Sequence, residues 1–350
     1  MRSLSTRRTI GAVAALSLAA AAAVVFVARP HTAHGQAPAA FSFGLIGDLG
    51  YQPHEEPWLD AVMSDLDRHA LAFVVHVGDL ATPTRACTDA LQAQRLAQFR
   101  ALAHPLVFTP GDNEWTDCHD AQGVKGGDPL ERLATLRKLF FAGEESLGKR
   151  TLPLLRQSKS VDPMLAKYRE NARWDLRGVT FMTLHVVGSN NGRGRTPETD
   201  AEYEERNRAN LAWLRDGFAH ATASNSRGIM ILTQANLYPD FPPFPAPGGK
   251  ETSPSGFADM RGAVEQEAIA FRKPVVLVHG DSHYFRVDNP YRARPPSSQQ
   301  QSQGPENFLR LELFGSPSHH WVEVTVSPDD PNVFTIKPRI VTENLVKRSP

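Results

Sequence analysis

Five short apolar runs, each closing on a polar residue, set the rhythm of the chain: FSFGLIGD to Asp48, FVVHVGD to Asp79, PLVFTPGD to Asp112, GIMILTQ to Gln234, and VVLVHGDSH with Asp281 and His283. Continuous Val, Ile, Leu and Phe without polar alternation is the pattern of a strand covered on both faces. Between the first three runs the apolar residues recur at helical spacing instead. Trp58, Leu59, Val62, Met63 and Leu66 predict a helix near Glu55 to Ala70, and Leu91, Leu96, Phe99 and Leu102 a second near Thr88 to Ala103. Strands and helices alternating over such short connections predict a parallel sheet with helices on its faces. A strand is expected again over Val179 to Val187, ending in the polar loop Gly188 to Gly192, and then a helix from about Glu202 to His220. Phe308 to Phe314, Trp321 to Val326 and Val333 to Ile336 read as three further strands.

Other stretches lack a period. Residues 116–173 are punctuated by Gly126-Gly127, Asp128-Pro129 and Asp162-Pro163, and are expected to form an insertion over the site. The run from Pro239 to Gly249 is too rich in proline for a helix or a central strand, because proline removes the backbone donor and fixes φ. It is a loop leaving a site-forming strand end, and either lines a cleft or lies on the surface. Residues 292–305, with Ser297 to Gln303, are of low complexity and are expected to be a mobile loop. With no internal repeat, residues 41–341 read as one domain followed by a C-terminal tail, 342–350.

The first forty residues read as an export signal: Arg7-Arg8 precedes an Ala-, Leu- and Val-rich stretch from Gly11 to Val27, and small residues follow around Ala33 to Ala40. The alternative is an uncleaved anchor, since 17 apolar residues reach the lower limit of the ~17 to 25 that span a bilayer. The paired arginines resemble a twin-arginine signal, which implies a periplasmic or secreted protein exported already folded. Lys+Arg and Asp+Glu balance at 38 each, but removing Arg2, Arg7, Arg8 and Arg29 with the signal leaves 34 basic against 38 acidic residues. A mildly acidic body without a basic run gives no indication of nucleic acid as a partner. Two cysteines occur, Cys87 and Cys118, in the loops leaving the strands that end at Asp79 and Asp112. If those strands are neighbours, an exported protein would oxidise the pair; otherwise they are two buried thiols.

In open α/β sheets ligands collect at the carboxyl ends of the strands, so five strand ends aim oxygen and nitrogen donors at one place. A single Gly-Asp after a strand is ordinary turn chemistry. Several in register point to a metal centre. Asp48-Leu49-Gly50, Gly78-Asp79, Gly111-Asp112-Asn113-Glu114, Gln234 and Gly280-Asp281-Ser282-His283 follow one another in an order that resembles the calcineurin-like metallophosphoesterases, most of all their purple-acid-phosphatase-type branch. That family's signature is Asp-x-His or Asp-x-Gly, Gly-Asp, Gly-Asn-His-Asp/Glu, a lone His, and Gly-His-x-His. The resemblance implies an α/β fold of two mixed β-sheets packed as a sandwich and flanked by helices. It also implies two divalent ions, ~3.5 to 4 Å apart, with a bridging hydroxide that attacks the phosphorus of a phosphate ester in line.

Carried over position by position, Asp48, the bridging Asp79 and His283 would hold the first ion, and Asp79, Asp112, Gln234 and Asp281 the second. Asp112, Gln234 and Asp281 replace nitrogen or amide ligands of the family, which moves the preference toward Mn²⁺, Mg²⁺, Ca²⁺ or Fe and away from Zn²⁺. Asn113 stands where the family has the catalytic His; it could orient the phosphate but cannot shuttle a proton. His54 and His119 are loop histidines that could replace that acid or simply be solvated. His279 is either an alternative ligand or a donor behind the ligands. His76 reads as a core histidine, and Trp115 as a cleft wall or as packing. The expected function is that of a metal-dependent phosphoesterase; the alternative that the altered ligands admit is a degenerate member of the fold that acts as a binding or interaction protein.

Overall fold

The computed structural model describes residues 39–160, 162–238, 254–291 and 304–345. Nearly all of the export segment (1–38), the whole Pro239 to Gly249 loop and most of the 292–305 loop therefore lie outside the described residues. The first sheet contains β1 (Phe41–Ile46), β2 (Val74–His76) and β3 (Leu106–Phe108), the first three apolar runs. The second collects β4 (Leu155–Arg156), β5 (Ala172–Leu176), β6 (Val179–Thr183), β7 (Ile229–Leu232), β8 (Val275–His279), β9 (Arg286–Asp288) and β10 (Phe308–Glu312). The last strands, β11 (Trp321–Val326) and β12 (Phe334–Arg339), return to the first sheet.

Strand order is β12-β11-β1-β2-β3 in one sheet and β4-β5-β6-β7-β8-β10-β9 in the other. Both sheets are mixed. β1, β2 and β3 run parallel while β11 pairs antiparallel to β1; β6, β7, β8 and β10 run parallel, with β5 and β9 antiparallel beside them. Phe43, Val75 and Val77 of the first sheet bury against Phe181, Met230, Val276 and Leu311 of the second. Outer faces are covered by helices: Glu56–Asp67, Asp89–Ala101 and Pro129–Phe140 on the first sheet, Pro197–Ala223 and Ala258–Phe271 on the second. Covering on both faces explains why the central strands read as unbroken apolar runs. The expected sandwich of two mixed sheets flanked by helices is the fold that forms.

Some local expectations change. The stretch read as an irregular insertion contains the helix Pro129–Phe140, whose start is capped by the Asp128 side chain accepting from Leu130 N–H and whose Leu133, Leu136 and Phe140 are buried. The helix expected from about Glu202 starts at Pro197, where Thr196 and Thr199 form a capping box. The described start of the tail is tied down, since Asn344 donates to the carbonyls of Trp58 and His319. Among the described residues, no helix is long and apolar enough to cross a membrane.

Candidate metal centre

β1, β2 and β8 each end in a sharp turn toward one place. Asp48, Asp79, Asp281 and His283 all adopt left-handed backbone, with φ of 56°, 58°, 72° and 60°. Such a conformation costs a non-glycine residue ~1 to 2 kcal/mol and persists where its surroundings over-determine it. The surroundings here are hydrogen bonds between the turns: Asp48 N–H donates to Gly78 O (3.0 Å), Ser316 N–H to Asp48 O (2.8 Å), and Asp281 N–H to Asp48 Oδ1 (3.0 Å). Gly280 lies so close that any Cβ would enter the Asp48 carboxylate.

The ligand atoms of Asp48, Asp79 and His283 all lie within 4.8 Å of one another. His283 Nδ1–H donates to Ser316 O (2.8 Å), which leaves Nε2 facing Asp48 Oδ1 at 3.5 Å. Burial disfavours the charged ring, but the hydrogen bond and charge of Asp48 outweigh it and push His283 up to about 9. A cation bound at Nε2 would replace that proton. Asp48 Oδ2 is buried with no hydrogen-bond partner.

The other half of the site lies around Asp112. Gln234 Nε2 donates to Asp112 Oδ1 (3.0 Å), while Gly188 N–H donates to Gln234 Oε1 (2.6 Å). Because a backbone N–H can only donate, this second bond fixes which way the amide points. Gln234 thus orients Asp112, and as a ligand it would have to share its oxygen with Gly188. A Cβ on Gly188 would stand 2.5 Å from Asp281 Oδ1 and 2.7 Å from Asp112 Oδ2, so both carboxylates flank that glycine. Asn236 N–H donates to Asp281 Oδ2 (3.2 Å).

The electrostatics of the cluster call for a cation. Burial foremost, then the charges of Asp112, Glu114 and Asp48, raises Asp79 well above the carboxylate range. Asp112 is raised likewise by burial and then by Asp117 and Asp281, and Asp281 goes up to about 6, again mainly through burial. Desolvated like charges at one point are what a divalent ion neutralises, and the converging oxygens with one imidazole suit a hard ion.

Asn113 lies in the site, but its hydrogen bonds are spent on the protein. Nδ2 donates to Asp79 Oδ2 and to Ala81 O (both 2.9 Å), and the backbone N–H donates to Asp79 Oδ1 (3.2 Å). Both amide hydrogens are thereby used, so this residue fixes Asp79 and has no donor left for a phosphoryl oxygen. Glu114 accepts from Leu80 N–H (3.0 Å) and Gly111 N–H (3.1 Å), joining the two loops, and burial pushes it up to about 8. The disulfide Cys87–Cys118 closes across the same loops, with Cys87 Sγ 3.5 Å and Cys118 Sγ 3.8 Å from Asn113 O.

His279 is fully buried at the end of β8, with Nδ1 at 2.8 Å from Gly280 O. Burial lowers it to about 3, against the Gly280 hydrogen bond and with smaller contributions from Arg310 and Arg286. His54 is exposed beside Trp58, and His119 Nε2 is 3.9 Å from Asp117. His76 is a core histidine, accepting from Gly78 N–H (3.1 Å). Trp115 is buried beneath the Arg206 guanidinium, which lies 5.0 Å from its ring centroid.

Sequence reasoning passed over Tyr51. Its hydroxyl donates to Asp79 Oδ2 (2.5 Å) and lies 3.0 Å from His283 Nε2, adding an oxygen donor to the Asp48 half. Burial first, then Asp79 and Asp48, keeps the phenol protonated. Its signal was present in the GDLGY run, three residues beyond Asp48. Ser316 left no signal, because its contribution to His283 is a backbone carbonyl.

No family model and no curated protein matches the sequence. Among solved structures the fold is similar to a dimetal phosphatase from Danio rerio, with a TM-score of 0.51 and 14% identity over 86% of this chain and 96% of that one. It also matches a 5'-nucleotidase from Candida albicans (TM-score 0.47, 11% identity, 85% of this chain and 50% of that one). A purple acid phosphatase from yellow lupin seeds gives a TM-score of 0.49 at 12% identity over 88% of this chain and 52% of that one. The chain spans about half the length of these last two. With its two mixed sheets and flanking helices, the chain has a calcineurin-like metallophosphoesterase fold.

Proposed function

We propose that the protein is an exported, metal-dependent phosphoesterase of purple-acid-phosphatase type, acting on a phosphate ester. The observation that carries this reading is the convergence of Asp48, Asp79 and His283 within 4.8 Å, with an unpartnered carboxylate oxygen on Asp48. Asp48, Asp79 and His283, with the Tyr51 phenol beside them, would hold one ion; Asp79, Asp112, Asp281 and the Gln234 amide would hold the other. Bound there, two divalent ions would supply Lewis-acid polarisation of the phosphoryl group and activation of a water. The oxygen-rich donor set favours Mn²⁺, Mg²⁺, Ca²⁺ or Fe over Zn²⁺.

The chain's own residues do the holding. Asn113 pins both oxygens of Asp79, Ser316 sets the tautomer of His283, and Gln234 turns Asp112. Asn113 cannot protonate the leaving oxygen, so turnover depends on leaving groups that carry their own negative charge. Export is supported by the disulfide, which forms and persists in oxidising compartments. The test is hydrolysis of an aryl phosphate by metal-stripped, reconstituted protein: Mn²⁺ should support it better than Zn²⁺. No hydrolysis with any of Mn²⁺, Mg²⁺, Ca²⁺, Fe²⁺ or Zn²⁺ would replace this reading with that of a binding protein on the same fold.

A further inference from the structure

The loop after β6 is held in an unusual shape by a residue far from the ligands in sequence. Ser189, Asn190 and Asn191 are consecutive non-glycine residues in the left-handed region, with φ of 49°, 54° and 58°. A run of three is costly at ~1 to 2 kcal/mol each and needs an external clamp. Arg206, fully buried in the helix Pro197–Ala223, supplies it: Nη1 donates to Asn191 Oδ1 (2.5 Å) and His185 O (3.0 Å), and Nη2 donates to Asn191 O (2.8 Å). Nε donates to Glu202 Oε1 (3.0 Å), so the guanidinium is fixed from both sides. Asn191 Oδ1 in turn accepts from Val187 N–H (3.2 Å), closing the loop on itself.

What the clamped loop touches is the Asp112 half of the site. Gly188 lies between the carboxylates of Asp112 and Asp281 and donates to Gln234, which orients Asp112. Ser189 Oγ donates to Asp117 Oδ2 (2.9 Å), and Asp117 N–H donates back to Asp112 O (3.1 Å). The same guanidinium lies over the Trp115 ring, and the Trp115 backbone N–H also donates to Asp112 O (3.2 Å). Among the described residues, the side-chain hydrogen bonds of Arg206 and Asn191 go to one another, His185 O, Val187, Glu202 and Gly256, and not to Asp48, Asp79 or His283.

We infer that Arg206 is a positioning residue for the second ion of the proposed pair, acting through Asn191 and the Gly188–Ser189 turn, and that it leaves the Asp48–Asp79–His283 half unaffected. This rests on the two-ion reading above. Arg206 acts on two elements at once, the 188–192 loop and the Trp115 ring, and a lysine cannot reproduce its fork of donors. Loss of such outer partners typically weakens metal binding ~10- to 100-fold.

Calorimetric titration of metal-stripped protein with Mn²⁺ tests the inference, comparing wild type with Arg206→Lys and, in case that variant folds poorly, Asn191→Gly, which keeps the left-handed backbone but loses the side-chain acceptor. Wild type should bind two ions; both variants should keep the first within about 3-fold and bind the second ~10- to 100-fold more weakly. Two unchanged affinities, or equal weakening of both sites, would overturn it. Hydrogen exchange of the metal-free proteins decides the clamp separately: the Val187–Gly192 amides should exchange faster in both variants, and unchanged protection would refute the clamp. A wild type that binds fewer than two ions would defeat the two-ion reading, while the exchange result would still stand for or against Arg206.

Discussion

Opening the Cys87–Cys118 cross-link should destabilise the fold by an amount set by the chain it closes. The two residues are 31 apart in sequence, and a loop of that length gives ~3.7 kcal/mol at 25 °C in the chain-entropy description. Both cysteines are buried and flank the Asn113 carbonyl, so the bond also joins the loops that carry Asp79 and Asp112. Urea unfolding of the oxidised protein, the same protein reduced by a phosphine, and C87A/C118A separates the cross-link from packing, because reduction keeps both sulfurs in place. The oxidised protein should be ~3 to 4 kcal/mol more stable than the reduced one, and the double variant should fall close to the reduced protein or slightly below it. A difference under ~1 kcal/mol between oxidised and reduced wild type would refute the reasoning, since the bridge would then not constrain the unfolded chain.

Two further outcomes concern charge. In metal-stripped protein Asp281 titrates near 6 and Glu114 near 8, both raised above their unfolded values mainly by burial. A raised folded pKa contributes stability that is present below the unfolded value and lost as pH rises through the folded one. Thermal melts of the stripped protein should therefore fall between about pH 5 and 8, and Mn²⁺ should flatten the curve; a flat curve without metal would show that the cluster carries no such strain. Glu170 behaves oppositely. Burial would raise its carboxyl, but the Arg137 charge and the His185 hydrogen bond hold it well below the usual range. Its stabilisation is complete above the unfolded ~4.3 and is lost as pH falls toward the folded value. Glu170→Gln should cost ~3 to 5 kcal/mol at pH 7 by stranding Arg137, measured by urea unfolding. A loss below ~1 kcal/mol would mean the pair is dispensable.

The sandwich was legible because strands covered on both faces leave unbroken apolar runs, and Asp48, Asp79, Asp112, Gln234, Asp281 and His283 stood out as candidates because each closes or directly follows such a run. The helix Pro129–Phe140 was harder to see: its apolar stripe is interrupted by Glu131, Arg132, Arg137 and Lys138. What could not be read was how the strand-end groups use their hydrogen bonds. Asn113 reads as a free amide facing substrate until the fold places Asp79 and Ala81 on its two hydrogens. Gln234 reads as a ligand with a free oxygen, and only the fold shows Gly188, from a loop 46 residues earlier, donating to that same oxygen. His279 and His283 are alike as strand-end histidines, and only the turn at Gly280 and Asp281 decides that His283 faces Asp48. Partners drawn from distant elements have no local period, so Arg206 does not announce its role, whereas Tyr51 at least lies beside Asp48 in the GDLGY run.

The central claim is that these strand ends form a two-ion centre bridged by Asp79, and the most direct measurement is elemental analysis of wild type and Asp79→Ala, each purified without chelator and checked for native folding by circular dichroism. Wild type should carry two divalent ions per chain, with Mn or Fe exceeding Zn, and Asp79→Ala should retain none or nearly none, because both halves of the site lose the ligand they share. Wild type without bound metal, or an Asp79→Ala variant that keeps both ions, would contradict the account.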